Sequence, residues 1–162
     1  MNPEIQTDPD VPEKPHKVED EGMHWRDHPF LDDLDPEHLA ILASCAMPTR
    51  FVTDQIIFRE GDMANRFYLI LEGRVRVEMD VSDRPPVLVE HLVAGDVLGW
   101  SWLFPPYIWN FTARAVEPVR ATFFYGTWLR EQCGVKPAFG YELMKRTAQV
   151  VIQRLQSTRR RL

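Results

Sequence analysis

Apolar positions follow three spacings along the chain. Residues 1–22 hold Pro3, Pro9, Pro12 and Pro15 among acidic and amide side chains, with almost nothing apolar, and read as a disordered, solvated tail. Hydrophobic positions begin at Trp25 to Leu31, and Leu39, Leu42, Ala43 and Ala46 then recur at i, i+3, i+4 and i+7, the stripe of an amphipathic helix. Asp35 supplies an N-cap side chain, Pro36 suits the first helical position, and Pro48 is expected to end the helix.

From Phe51 the spacing shortens. Phe51 to Phe58, rich in β-branched and aromatic residues and closed by Glu60-Gly61-Asp62, predicts a strand. Phe67 to Leu71 is continuously apolar, as in a strand buried on both faces, whereas Arg74 to Met79 alternates and leaves one face wet. Val87 to Leu92, Thr112 to Val116 and Val119 to Tyr125 add three more, around an aromatic, proline-broken stretch at 99–111. Short strands at this spacing imply an antiparallel roll or barrel.

Helical spacing returns over Thr127 to Gln132, stops near Gly134, and resumes at Pro137 for the rest of the chain. On this last helix Met144, Ala148, Val151, Leu155, Thr158 and Leu162 form a 4-3-4-3-4 seam. The seam either packs on the domain's own sheet or meets a second copy as a homodimer contact through Met144, Ala148, Val151 and Leu155. The organisation is therefore a tail at 1–22, a β-rich domain at 23–136 and a C-terminal helix at 137–162.

Charge sharpens this division. Residues 1–35 carry 11 acidic and three basic side chains, a net charge of −8, and the remainder is +3. Residues 143–162 hold six basic side chains and no acid. That suits the negative end of a helix dipole, and without interleaved aromatics it argues against DNA as a partner. No apolar run approaches a membrane span and no export signal is evident, so a cytoplasmic protein is expected. Cys45 and Cys133 are too few for a four-cysteine metal site, and no nucleophile, base and orienting group form a catalytic pattern, so no metal and no enzyme activity are expected.

Gly61 after a strand, Phe67-Tyr68-Leu69-Ile70, Gly73-Arg74-Val75, Leu92-Val93-Ala94-Gly95-Asp96 and Gly99 resemble the successive signatures of the cyclic-nucleotide-binding domain of bacterial Crp/Fnr regulators, over about Phe30 to Leu162. The resemblance implies a mainly β fold with flanking α: an antiparallel β-roll of the double-stranded β-helix or jelly-roll type, with short N-terminal helices and a long, dimerising C-terminal helix. In that family a Gly-Glu pair opens a short helix whose N–H groups cradle the cyclic phosphate, and an Arg about ten residues on neutralises it. Here Gly99 is kept, but Trp100 stands in the Glu position and Trp109 in the Arg position. An indole N–H donor replaces an acceptor carboxylate, and the phosphate loses a charged hydrogen bond worth about 1.5–3 kcal/mol. Arg114 lies five residues beyond Trp109, an odd separation that places it on the opposite face if the strand runs that far. Binding of cAMP or cGMP in the usual way is thus doubtful.

Three readings of the altered segment stay open. Its aromatics simply fill the old site; or the site takes an apolar or aromatic ligand among Gly99, Trp100, Ser101, Trp102, Leu103, Phe104, Trp109, Asn110 and Thr112; or weak nucleotide binding persists. Thr158 matches a family Thr that touches the base, and equally fits the helical seam. Haem is not favoured, because His24, His28, His38 and His91 all lie outside the aromatic segment. The chain reaches Leu162 without the helix-turn-helix domain of a Crp-type regulator, so the expected function is a stand-alone sensory module. It would pass a small-molecule signal to an unknown protein partner through a hinge near Gly134.

Overall fold

Asp35 accepts a hydrogen bond from the Glu37 N–H at 2.9 Å and so starts helix α1 (Pro36–Ala43) where the capping pattern places it. This is a computed structural model, and it describes residues 22–160; the predicted tail, up to residue 21, lies outside the described residues. The helix is shorter than its apolar stripe. Ala46 already belongs to β1 (Ala46–Phe51), and Pro48 sits inside that strand. A proline is tolerated there because β1 is an edge strand, paired with β8 alone.

The single strand expected over Phe51 to Phe58 is two. A turn at Val52 to Gln55, closed by Gln55 N–H to Val52 O (3.1 Å) and by Gln55 Oε1 accepting from Val52 N–H (3.0 Å), separates β1 from β2 (Ile56–Phe58). This turn passes the chain from one sheet to the other. The first sheet has the order β1-β8-β3-β6, with β3 at Arg66–Glu72, β6 at Val97–Leu98 and β8 at Val119–Tyr125. The second has the order β2-β7-β4-β5, with β4 at Arg74–Met79, β5 at Val87–Val93 and β7 at Thr112–Ala115. Every pairing is antiparallel, as the sequence pattern requires.

The run Phe67 to Leu71 fails to alternate because both of its faces are covered. Tyr68 and Ile70 point into the roll with Val75, Leu92, Leu98, Ala113 and Phe123. Phe67 and Leu69 point out onto a second core, built with Leu42 of α1, Leu129 of α2 (Gly126–Val135) and Phe139 and Leu143 of α3 (Pro137–Arg160). Gly134, where a hinge was expected, lies in the last turn of α2 with open space around it, and α3 starts at Pro137.

The N-terminal 3₁₀ turns, Trp25–Asp27 and Pro29–Leu31, are held to the sheet through His28, which is fully buried. Its Nδ1 accepts from Phe30 N–H (3.1 Å), which leaves Nε2 as the protonated nitrogen that donates to Asp96 O (3.0 Å). Burial pushes the His28 pKa below the ordinary 6.5, outweighing the opposing hydrogen bond to Asp96 and the charges of Asp96 and Asp32. The unfolded chain therefore takes up this proton first as pH falls. Stability contributed by neutral His28 is complete above about pH 6.5 and declines below it, toward the folded-state pKa. Urea unfolding of the wild type between pH 7.5 and 5 should show this decline, and His28→Gln should flatten it; an unchanged slope in the variant would place the titration elsewhere.

Candidate functional site

A cavity of about 280 Å³ opens between the second sheet, the loop that follows β6, and α3. The sheet side supplies Phe58, Val77, Val89 and Glu90, and β6 adds Leu98. The loop contributes Gly99, Trp100, Ser101, Trp109, Asn110 and Phe111; the helix contributes Val151, Arg154, Leu155 and Thr158. Its walls are chiefly apolar with a few polar groups, the usual make-up of a small-molecule site.

The loop is a series of turns where the resemblance implied a short helix. Leu103 N–H donates to Trp100 O (3.1 Å), Phe104 N–H to Ser101 O (3.4 Å) and Tyr107 N–H to Phe104 O (2.9 Å), around a cis Pro105–Pro106 peptide. The loop's return is pinned by Ala64 N–H to Tyr107 O (2.7 Å), Gly61 N–H to Trp109 O (2.8 Å) and Trp109 N–H to Asp62 O (2.9 Å). These bonds fix Trp109, 5% exposed, in a parallel stack on Phe58 with centroids 3.9 Å apart and planes within 9°. The same indole lies against the Gly99 backbone, where an added Cβ would come within 2.5 Å of the ring. Gly99, at φ +90°, thus meets two demands that only glycine satisfies, a left-handed turn and a close approach. A flat apolar ring thus covers the Gly99 end of the loop.

Arg114 does not compensate. Ala113 and Ala115 face the roll interior, so Arg114 faces out, where Nε meets Glu78 Oε1 at 3.2 Å and Nη1 donates to Asp54 O at 3.2 Å. Among the described residues, the cation that does reach the cavity is Arg154, which the charge pattern of the final helix does not set apart from its other basic residues. Its guanidinium lies 4.9 Å from the Trp100 ring centroid, donates to Val97 O, and stands 3.7 Å from Glu90 Oε2. Burial lowers the Arg154 pKa from its ordinary value, against the opposing charges of Glu90 and Asp96. One signal was available: Arg154 precedes Thr158 by four residues and so shares its helix face.

Of the residues singled out from sequence, Gly99, Trp100, Ser101, Trp109, Asn110 and Thr158 come together on this cavity. Four do not. Trp102, 2% exposed, stacks on Phe67 with centroids 5.0 Å apart and packs against Gly126 in the helix-side core, because the turn at Trp100 to Leu103 sends neighbouring side chains to opposite sides. Leu103 packs against the same core, and Phe104 is exposed at the loop. Thr112 faces away from the roll interior and accepts from Glu60 N–H at 3.0 Å. The helical seam faces the domain only in part: Phe139, Leu143 and Thr147, outside the seam, face inward, while Met144, Ala148 and Leu155 of the seam are exposed, Leu155 at 69%, and Leu162 lies outside the described residues. Val151 and Leu155 belong both to this exposed face and to the cavity wall. No histidine lines the cavity, and no group of three or more His, Cys, Asp or Glu among the described residues is placed to hold a metal. No helix among them is long and apolar enough to cross a membrane.

Two antiparallel four-stranded sheets closed into a roll, with a glycine-led loop after β6 and a long C-terminal helix, define a β-roll domain. The chain belongs to the cyclic nucleotide-binding domain family, whose sequence model matches residues 48–133. It is 25% identical over 133 residues to the CRP-like cAMP-activated global transcriptional regulator of Mycobacterium tuberculosis, an alignment covering 82% of this chain and 58% of that regulator. The chain thus spans little more than half the length of that relative. A structure described as a cyclic nucleotide-binding protein of Geobacter metallireducens GS-15 is 34% identical, with a TM-score of 0.73, and the match covers 80% of this chain and 94% of the other. A cyclic nucleotide-binding domain from Methylobacillus flagellatus KT shares the fold at 21% identity and TM-score 0.72, over 80% of this chain and 73% of that one.

Proposed function

We propose that this protein is a non-enzymatic regulatory module of its family that does not bind cAMP or cGMP in the usual way and whose cavity takes a small, ring-bearing, largely apolar ligand. The observation that carries this reading is Trp109, stacked on Phe58 and laid against Gly99, at the residue that the family resemblance aligns with the phosphate-binding arginine. An anion placed there would lose its counter-charge and keep an indole face instead. The cavity left beside that stack favours a ligand over a purely structural filling: its 280 Å³ exceeds the roughly 150 Å³ of an engineered apolar cavity that binds benzene.

The output is a homodimer acting on another protein. Val151, Arg154, Leu155 and Thr158 of α3 wall the cavity, so a ligand touches the helix directly, and different affinities in two helix positions would shift their populations. The exposed side of α3, with Met144, Ala148 and Leu155, is the dimer surface, and pairing there covers the cavity mouth. Sedimentation should find a dimer in the wild type and a monomer for Met144→Glu, which leaves the cavity intact; a monomeric wild type rejects the dimer.

Thermal unfolding tests the ligand. Cyclic AMP and cyclic GMP at millimolar concentration should leave Tm unchanged, whereas one- and two-ring aromatic compounds, neutral or charged, should raise it. At a hundred times Kd the stabilisation is about 2.7 kcal/mol, or a rise of about 5–10 °C for a domain of this size. A rise with either cyclic nucleotide and none with the aromatics would restore the nucleotide sensor.

A further inference from the structure

The cavity is chiefly apolar, and among the described residues its charged lining is one cation, Arg154, and one carboxylate, Glu90. Arg154 and Glu90 line both this cavity and the adjoining open groove of about 580 Å³, which Lys145, Gln149 and Gln153 of α3 also border. They form the partition between an apolar chamber and a polar channel. Arg154 is the one cation on the chamber wall among the described residues. It is held from three directions: the Trp100 ring beneath it, Val97 O on β6, and Glu90 Oε2 at 3.7 Å. That last separation is longer than a charge-assisted hydrogen bond, which closes to about 2.7–2.9 Å. The guanidinium thus has an ion pair with Glu90 that a better-placed carboxylate can replace.

We infer that the cavity is a site for planar one- or two-ring carboxylates, the ring among Phe58, Trp109 and Leu155 and the carboxylate forked onto Arg154 in place of Glu90. The inference rests on the apolar-ligand reading above and names its charged end. Arg presents paired N–H donors that match a carboxylate's two oxygens, and the Trp100 face keeps the guanidinium plane oriented. The displaced Glu90 carboxylate turns into the polar groove that it already borders, where water solvates it. Because Arg154 belongs to α3 and Glu90 to β5, this exchange replaces a helix-to-sheet ion pair with a helix-to-ligand one. Ligand occupancy is thereby written directly into how α3 is tethered to the roll.

The test pairs each acid with its uncharged amide: benzoate with benzamide, and 2-naphthoate with 2-naphthamide, titrated calorimetrically into the 162-residue chain at pH 7.5. The acids should bind the wild type about tenfold or more tightly than the amides, the difference expected of a charged hydrogen-bonded contact. Arg154→Gln should abolish that preference, with acid binding weakened about tenfold or more and the amides weakened less. Glu90→Gln, which keeps Arg154 on the helix, should tighten acid binding relative to the amides, so the inference stands apart from any loss of fold in the first variant. Equal affinity of acid and amide for the wild type overturns the carboxylate assignment and leaves the apolar-ligand reading intact. Binding of neither series overturns both.

Discussion

Gly73→Ala is expected to lower unfolding free energy by about 3 kcal/mol or more, a large share of the 5–15 kcal/mol available to a domain. Gly73 makes the tight turn from β3 into β4 at φ +94°. A Cβ there would stand 2.2 Å from Pro118 O and 2.9 Å from Val119 Cα. Both obstacles are backbone, and Val119 is the first residue of β8, locked between β1 and β3. Left-handed strain contributes about 1–2 kcal/mol and overpacking about 1–3 kcal/mol, with no flexible side chain to yield. Gly61 is the control: it shares the conformation, at φ +91°, but has nothing within 4 Å of its added Cβ. Gly61→Ala should cost only the strain, about 1 kcal/mol or slightly more. Urea unfolding of the two variants checks the pair, and equal losses would show that the Pro118 contact is not what demands glycine at position 73.

Trp102→Ala is expected to cost about 3–5 kcal/mol, the range for emptying a buried aromatic site. Its ring stacks on Phe67 and its Cβ lies against Gly126 at the start of α2, and Phe67 in turn stacks on Phe124 at 4.8 Å. Removing it opens a void in the core that joins the roll to all three helices. Trp100→Ala, two residues away, removes a half-buried ring from the cavity wall and should cost far less stability, about 1 kcal/mol, while weakening any ligand that depends on Arg154 being oriented. Denaturation measures the first effect and calorimetric titration the second. A Trp102 variant as stable as wild type would mean that the helix-side core does not depend on this stack.

The contrast between these two tryptophans marks where local pattern stops being informative. Gly99-Trp100-Ser101-Trp102 is a short run in which every residue looked like pocket material, and nothing in spacing distinguishes a ring aimed into a cavity from one aimed at a helix. The distinction depends on the turn closed by Leu103 N–H to Trp100 O, and on Gly126, whose missing side chain leaves room for Trp102. The end of α1 is a similar case. Its apolar stripe runs on to Ala46, but pairing of Ala46 with Phe124 across β1 and β8 claims that residue for a strand. Pairing energy between distant segments overrides a helical period of four positions.

Order and type of the main elements were legible because they are local properties. Alternation at Arg74 to Met79, the doubly buried run at Phe67 to Leu71, the Asp35-Pro36 cap and the Pro137 start each follow from neighbours within a few residues. That the resemblance sets Trp109 where the family carries an arginine was equally a matter of the chain alone, since it depends on residue type in a register anchored at Gly99. Tertiary structure alone decided that this ring lies on Phe58 and Gly99, that a cavity survives beside it, and that Arg154 reaches in from α3, 40 or more residues away in sequence from every other wall of that cavity. The reason is physical: which side chains share a chamber is set by how two sheets close around a core and where a helix docks on them, and those long-range contacts leave no period in the sequence.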